Sequence, residues 1–328
     1  MGIKQSSNHI FMIEPKTFFM NPETLASNHY QDGDDENPEL ITAQAKVEFF
    51  ALKNAIEQNG ITVTSMLGSE LCPDHIFPNW FITFEDKTAQ LFSMCAPNRR
   101  LEKTPEMIGF LKQHYSLTGD LSNFENENIF LESTSSMVFD RVNKIVYATP
   151  SPRTNEELLR TWCADNGFKL VCFETESHTG EAIYHTDVLM YVGTSVIGIC
   201  YEVIKEEYRD MVKEHVEKYH DVLEITKDQI LDFCGNSLEA RDENDNLYLI
   251  MSSRAFHAHT EDQRKKLAQH FTEVIHADIP TIERYGGGSA RCMLSELFWV
   301  SKFQFYFAIS SDFSNFNPDI VTFINDIS

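Results

Sequence analysis

Apolar and polar positions fall into a unit that recurs along the chain. It is clearest from Ser136 to Glu174, where SMVFD reads as a strand, RVNK as a turn and IVYATPS as a second strand, before the helical TNEELLRTWCADNG and a third strand, KLVCFE. Short apolar runs bounded by turn residues mark the strands, and the longer 3.6-residue periodicity between them marks the helix. Thr154 with Glu157 has the spacing of a capping box, which satisfies orphan N–H groups of a first helical turn. Gly167 then supplies the stop.

The same order returns from Asn236, where NSLEA and LYLIMSS flank RDENDN and Thr260 with Gln263 is spaced to cap a helix through EDQRKKLAQHFTEVI. Another copy starts at His185 with HTDVLMYVG and SVIGICYE, followed by the helical EEYRDMVKEHVEKYH and the strand DVLEIT. WFITF, EDKTA, QLFSMC and the helical TPEMIGFLKQHY give a weaker version. The most irregular copy begins near HIFMIEP, passes the polar insertion NHYQDGDDENPE and closes with the helix AQAKVEFFALKNAIEQNG and the strand ITVTSM. No unit of this size can bury both faces of its own sheet, so the units are expected to close around a common axis as one α/β repeat architecture. An ordinary α/β or α+β domain is the competing reading, because the units share little sequence.

With 42% hydrophobic residues and 25 Phe in 328 residues, there is ample apolar surface for a packed core. The formal charge of -23 argues against nucleic acid and against membrane headgroups, both of which need clustered Lys and Arg. The same field would steer a cationic substrate such as arginine, although an acidic balance more often serves solubility. Met1 to Phe11 lacks the apolar run of a secretory signal, and no segment has the apolar length to span a bilayer, so a cytoplasmic location is expected. Seven cysteines at irregular spacings give neither a disulfide framework nor a zinc pattern, which fits a reduced compartment. Six of them read as small buried hydrophobes.

Cys292 differs from the other six. It sits in YGGGSARCMLSELF, behind Gly286, Gly287 and Gly288, and consecutive glycines let backbone approach a ligand closely. A phosphate-cradling loop is the rival for such a run, but no Lys follows at the required spacing. A flexible loop with a buried Cys is the other. In Tyr184-His185-Thr186-Asp187-Val188, His185 and Asp187 alternate by two along an expected strand and so share a face, which suits an acid/base with an oriented partner. A solvated strand edge or a satisfied buried pair is the ordinary explanation of H-x-D alone. No cluster has metal-ligand spacing. Glu132, His185 and Asn236 each stand at the start of a unit; if the units are related by rotation, these three and Cys292 all point to the axis.

These residues resemble a known family. LE-x-T-x-S-x-V-x-DR from Leu131, H-T-D-V from His185 and GGGSARCML-x-E-x-F from Gly286 are similar to the CtlX-type, amidinotransferase-like hydrolases of the arginine deiminase (pentein) superfamily. So are IEP-x-x-F-x-x-NP-x-T from Ile13, IFPNWF from Ile76, APNRR from Ala96 and SPRT from Ser151, which together span nearly the whole chain. The resemblance implies a five-bladed α/β propeller of ββαβ units, a single catalytic domain over residues 1–328, and no metal or organic cofactor. It implies Cys292 as nucleophile, His185 as general acid/base, and Glu132 and Asp187 as carboxylates that hold guanidinium or ureido nitrogens.

The chain departs from the family pattern at three places. A single Asn79 precedes Trp80 where two Asn are usual, and Ser133 and Ser135 stand where the family has glycines. Turn geometry at both places is therefore open. Asp74 is a substitute for an acid that deiminases place near Asn79. Asn236, Arg153 and Arg254 complete the candidate substrate-binding set, the two arginines either gripping a substrate carboxylate or bridging between units. The reading is a cofactor-free cysteine hydrolase acting on arginine, citrulline or a related small molecule, with room for a homo-oligomer. An amidinotransferase using an amine acceptor, or a non-catalytic binding member of the same fold, are the alternatives.

Overall fold

A computed structural model describes residues 3–34 and 36–298. Residues 299–328, the last part of the expected single domain, lie outside the described residues.

Fifteen strands among the described residues make five three-stranded sheets. Four of them follow the chain: β3 (Phe81–Thr83), β4 (Thr88–Leu91) and β5 (Ser116–Asp120); β6 (Val138–Asp140), β7 (Ile145–Ala148) and β8 (Lys169–Cys172); β9 (Met190–Val192), β10 (Val196–Ile199) and β11 (Asp221–Glu224); β12 (Leu238–Arg241), β13 (Leu247–Ser252) and β14 (Glu273–Ala277). In each, the first two strands pair antiparallel and the last two parallel, with a helix in the crossover. The helices are Pro105–His114, Glu156–Asp165, Glu206–Glu217 and Glu261–His270.

The fifth sheet is built differently. β1 (His9–Glu14) pairs parallel with β2 (Thr62–Leu67) after the helix Pro38–Gln58, and its antiparallel partner is β15 (Ser295–Glu296), with Ile10 opposite Glu296. The irregular first unit read from sequence is thus completed by residues from the other end of the chain. Its helix buries Ile41, Ala45, Phe49, Leu52 and Ile56, one face at three- and four-residue spacing, against the sheet residues Ile275 and Ala277. Burying each large side chain of that row contributes roughly 1.5–3 kcal/mol.

Local signals were partly displaced. Thr260 and Gln263 form the expected capping box. The helix after Thr154 is instead capped by Asn155, whose side chain accepts from the Leu158 N–H, because Thr154 Oγ1 is drawn to Ser136 Oγ at 2.7 Å. The helix after Thr260 stops at His270, and residues 273–275, expected as its continuation, open β14. There the β-branched Val274 and Ile275 pair with β13, so tertiary pairing overrides a helical reading.

Adjacent sheets are tied through their first strands. Thr83 Oγ1 donates to the Glu296 carbonyl (2.8 Å), and Gln5 Nε2 donates to the carbonyls of Phe139 (2.7 Å) and Val192 (3.2 Å).

Candidate active site

The segments just before the first strands of two sheets carry the first components. Glu132 precedes a four-residue helical turn, Ser133–Ser136, and Ser133 enters it with φ 45°. That is the left-handed region a glycine adopts freely, so the serine that replaces glycine keeps the turn with a strained backbone. Its hydroxyl donates to the Phe81 carbonyl at 2.6 Å. His185 was expected on a strand; it is extended (φ −136°), but the chain then curls into a 3-10 turn, Thr186–Val188, before β9. Thr186 Oγ1 donates to the Ser136 carbonyl at 2.7 Å and so seats one turn on the other.

Cys292 lies in a 3-10 turn, Ala290–Met293. Gly287, at φ 59°, ends the helix Pro280–Gly286. A Cβ at Gly288 would stand 3.3 Å from both Cβ and Sγ of Cys292, tight enough that a side chain there would press on the thiol. Asn236 holds the turn in place: its Nδ2 donates to the Asp187 carbonyl (2.9 Å) and to Cys292 Sγ (3.2 Å), while its Oδ1 accepts from the Cys292 N–H (3.3 Å).

Glu132, His185, Asp187, Asn236 and Cys292 therefore come together although they span 160 residues of sequence (292 − 132). His185 Nε2 lies 2.8 Å from Glu132 Oε2, and Cys292 Sγ lies 3.8 Å from Asp187 Oδ2. Burial raises the Glu132 carboxyl, but Arg153, His185 and Arg99 outweigh it and hold the group at about 2. Burial lowers His185 below the usual imidazole range, against the pull of Glu132. An ionised carboxylate only accepts, so Nε2 carries the proton and Nδ1, which has no hydrogen-bond partner, keeps its lone pair.

Glu132 was expected to hold substrate nitrogens, yet both its oxygens are engaged. Oε1 accepts from the Cys95 N–H at 2.9 Å, and Oε2 faces His185, with Arg153 at 3.7 Å and Arg99 at 3.9 Å. Among the described residues, the buried carboxylate oxygens left without a partner are Asp187 Oδ1 and Asp74 Oδ1. Both acids are buried, and burial raises both above the usual carboxylate range. Asp74 Oδ2 accepts from Asn21 Nδ2 (2.8 Å) and Thr24 Oγ1 (3.2 Å). Burial, then Asp187, push the Cys292 thiol up to about 12, opposed by Asn236 and Arg291.

A narrow pocket is lined by Asn28, Asp74, Phe77, Asn79, Arg99, Arg153, Tyr184, His185, Gly286, Gly288 and Cys292. Arg153 reaches it with its guanidinium 4.9 Å from the Tyr184 ring centroid and donates to Ser27 Oγ at 2.8 Å. Arg254 does not reach it; it is exposed and pairs with Asp232 at 2.7 Å. Arg99, Tyr184, Phe77 and Asn28 had no role in the sequence reading, although each lies in a segment it singled out: APNRR, the residue before His185, IFPNWF and the polar insertion NHYQDGDDENPE. Arg99 donates to Glu102 Oε1 (2.8 Å) and to the Phe77 carbonyl. Among the described residues, no group of three or more His, Cys, Asp or Glu side chains could hold a metal ion, and no helix is long and apolar enough to cross a membrane.

Comparison with known proteins follows the same lines. Residues 14–299 match the family model for N,N dimethylarginine dimethylhydrolase, eukaryotic. Among solved structures, the N-terminal domain of ArgZ, an arginine dihydrolase from the ornithine-ammonia cycle in cyanobacteria, was crystallised as a cysteine-to-serine mutant bound to substrate. It superposes with a TM-score of 0.69 at 14% identity, over 88% of this chain and 98% of that one. A cysteine-to-alanine mutant of AgrE in binary complex with L-arginine gives a TM-score of 0.70 at 13% identity, over 90% of this chain and 41% of the longer AgrE chain. A histidine-to-glycine variant of dimethylarginine dimethylaminohydrolase, as an adduct with S-methyl-L-thiocitrulline, gives 0.60 at 16% identity, over 90% and 100%. No curated protein sequence matches. At such identities the superpositions establish the fold, and the family model, covering most of the chain, establishes the kinship. The chain belongs to the N,N dimethylarginine dimethylhydrolase family, within the pentein superfamily of guanidino-modifying enzymes, and is a carbon–nitrogen hydrolase of guanidino groups.

Proposed function

We propose that Cys292 attacks the central carbon of a guanidino or ureido group and carries it as a covalent adduct, in a single catalytic domain whose five sheets close as a propeller around the site. The observation that carries this reading is the set of buried polar atoms without partners beside Cys292: His185 Nδ1, Asp187 Oδ1 and Asp74 Oδ1. Buried polar groups are normally paired, and unpaired ones gathered around one cysteine support a ligand with matching donors.

In the empty site the thiol is protonated. A guanidinium between Asp187 and Asp74 adds a positive charge and favours the thiolate. The thiol proton passes to His185, whose imidazolium is stabilised by Glu132, as sulfur bonds to the carbon. The leaving nitrogen then takes that proton as its bond to carbon breaks, leaving a thiouronium-type adduct. Water attacks the adduct, His185 removes a proton from it, and the C–S bond breaks to release the ureido product and the thiol. Glu132 thus orients and charges the acid/base, and the two aspartates receive the nitrogens. Asn236 positions the nucleophile, while Asn79 and Arg153 line the approach. Arg153 is already partnered by Ser27 and Glu132, which supports a wall role as well as a substrate contact.

Incubation with arginine, citrulline, dimethylarginine and agmatine, with products identified by mass, tests the reading. The expected result is release of ammonia or an amine, with the adduct mass on the peptide containing Cys292 after acid quench. Cys292→Ser is expected to lower turnover by at least about 10³-fold with the fold intact, since a hydroxyl is a far poorer nucleophile at neutral pH. Turnover by a folded Cys292→Ser protein near the wild-type rate overturns the mechanism.

A further inference from the structure

We infer that Arg291 is a positioning residue of the reaction: from behind the turn that carries Cys292, its buried guanidinium supplies the positive charge that favours the thiolate of Cys292 beside an ionised Asp187. The inference rests on the cysteine mechanism just proposed and adds to it a residue from outside the pocket. Four arginines are buried among the described residues: Arg99, Arg141, Arg153 and Arg291. Three of them meet an acid. Arg99 pairs with Glu102 at 2.8 Å, Arg141 with Glu296 at 3.2 Å, and Arg153 stands 3.7 Å from Glu132. Arg291 pairs with no carboxylate among the described residues; its side chain donates only to main-chain carbonyls, those of Leu294 (2.7 Å) and Thr134 (3.3 Å). A buried charge without a counter-ion is costly. The acids that share its chamber are already supplied, Glu239 by Ser6 and Thr194, and Glu296 by Ser7 and Arg141.

Backbone geometry directs this charge to the thiol. Arg291 precedes Cys292 in the turn Ala290–Met293, and its N–H donates to the carbonyl of Asn236 (3.4 Å), whose side chain holds Sγ at 3.2 Å. Thr134, which accepts from the guanidinium, belongs to the turn Ser133–Ser136, and Thr186 Oγ1 fastens that turn to the segment of Asp187. The guanidinium thus bridges the Cys292 turn and the turn behind Asp187. The other charged and titratable groups around the thiol are Asp187, His185, Tyr184, Asp74, Arg99 and Arg153. Arg99 and Arg153 both face Glu132, at 3.9 and 3.7 Å, which leaves Arg291 as the cation not already shared with an acid. Burial drives Asp187 and Cys292 towards their neutral forms; His185 and Arg291 oppose it at Asp187, and Asn236 and Arg291 oppose it at Cys292. Once sulfur gives up its proton, Sγ and Asp187 Oδ2 are two anions 3.8 Å apart. A fixed cation beside them offsets that repulsion.

Arg291→Gln and Arg291→Met remove the charge, whereas Arg291→Lys keeps it and loses the planar fork. At a fixed pH below the range of the thiol, the rate of alkylation by iodoacetamide follows the thiolate fraction. The peptide containing Cys292 is read by mass against that of the half-buried Cys95 in the same digest, so that a general loosening of the fold cancels. Relative alkylation of Cys292 is expected to be at least about 10-fold slower in Arg291→Gln and Arg291→Met, and within about 3-fold of wild type in Arg291→Lys. The kcat/KM of whichever compound the enzyme turns over should fall in the same order. Wild-type alkylation in a folded Arg291→Gln or Arg291→Met protein overturns the inference while the cysteine mechanism stands. So does an Arg291→Lys protein as slow as Arg291→Gln, because the fork and not the charge would then matter. Turnover retained in Cys292→Ser overturns the mechanism and the inference together.

Discussion

Two buried polar regions flank the turn that carries Cys292, and they are finished differently. On one side Cys292 faces Asp187 and Asp74, each with an oxygen that meets no donor. On the other, Arg291 lines a chamber with Gln5, Ser6, Glu239 and Glu296. There all the carboxylate oxygens are matched. Glu239 accepts from Ser6 Oγ (2.9 Å), Thr194 Oγ1 (2.6 Å) and the Thr194 N–H (2.7 Å); Glu296 accepts from the Ser7 N–H (3.1 Å) and Arg141 (3.2 Å). An acid with its donors in place stabilises the assembly of the sheets, whereas an acid kept waiting costs stability until a ligand arrives. Buried carboxylates thus report opposite purposes on the two sides of one turn.

Substitutions should separate the two. The largest effect is expected for Asp187→Asn, which keeps the shape but removes the charge that meets the substrate: kcat/KM should fall by about 10³-fold. Its thermal midpoint should hold or rise, since burial already disfavours this carboxylate. A lower midpoint with activity retained would move Asp187 into the structural class.

Glu132, bonded to His185 on the Cys292 side, shows its role through pH. Its carboxyl lies at about 2 when folded, against 4.5 for an ordinary glutamate, because Arg153, His185 and Arg99 overcome the effect of burial. A depressed carboxyl contributes its stability above the unfolded value and loses it as pH falls through the folded one. The window is therefore pH 4.5 down to about 2, and the contribution about 3 kcal/mol. Denaturant unfolding of wild type and Glu132→Gln across that window should show the variant's acid limb flattened by about this amount. Parallel limbs would mean that Glu132 is not held ionised by its neighbours.

The smallest effect sharpens the contrast. Glu239→Gln should cost about 1–3 kcal/mol of stability while kcat/KM stays within about 3-fold, because its donors are structural. A large kinetic loss with unchanged stability would erase the difference between the two sides.

Much of this was legible in the sequence, for physical reasons. Strand runs and helix periods are local, so four of the five units could be traced from apolar spacing, and the glycine run singled out Cys292 from six other cysteines. The convergence of Glu132, His185, Asn236 and Cys292 followed from the idea of related units. What was hidden is what depends on partners. Glu132 looked like a substrate carboxylate until His185, Cys95 and the two arginines were seen around it. Asp74 gained importance through one oxygen that nothing meets. Arg153 and Arg254 sit in similar contexts, SPRT and SSRAF, yet one is buried at the pocket and the other is on the surface with Asp232. Only three-dimensional neighbours distinguish them.

The pairing of β15 with β1 sets a timetable for the enzyme. Ile10 meets Glu296, so the last strand of the first sheet is supplied 286 residues (296 − 10) after the first. The Cys292 turn ends two residues before β15 begins (295 − 293). A chain emerging from the ribosome can assemble its middle sheets from local contacts, but closing this loop waits for the far end and carries the highest entropic cost. The turn that carries Cys292 is thus framed late, by a pairing between residues far apart in the sequence.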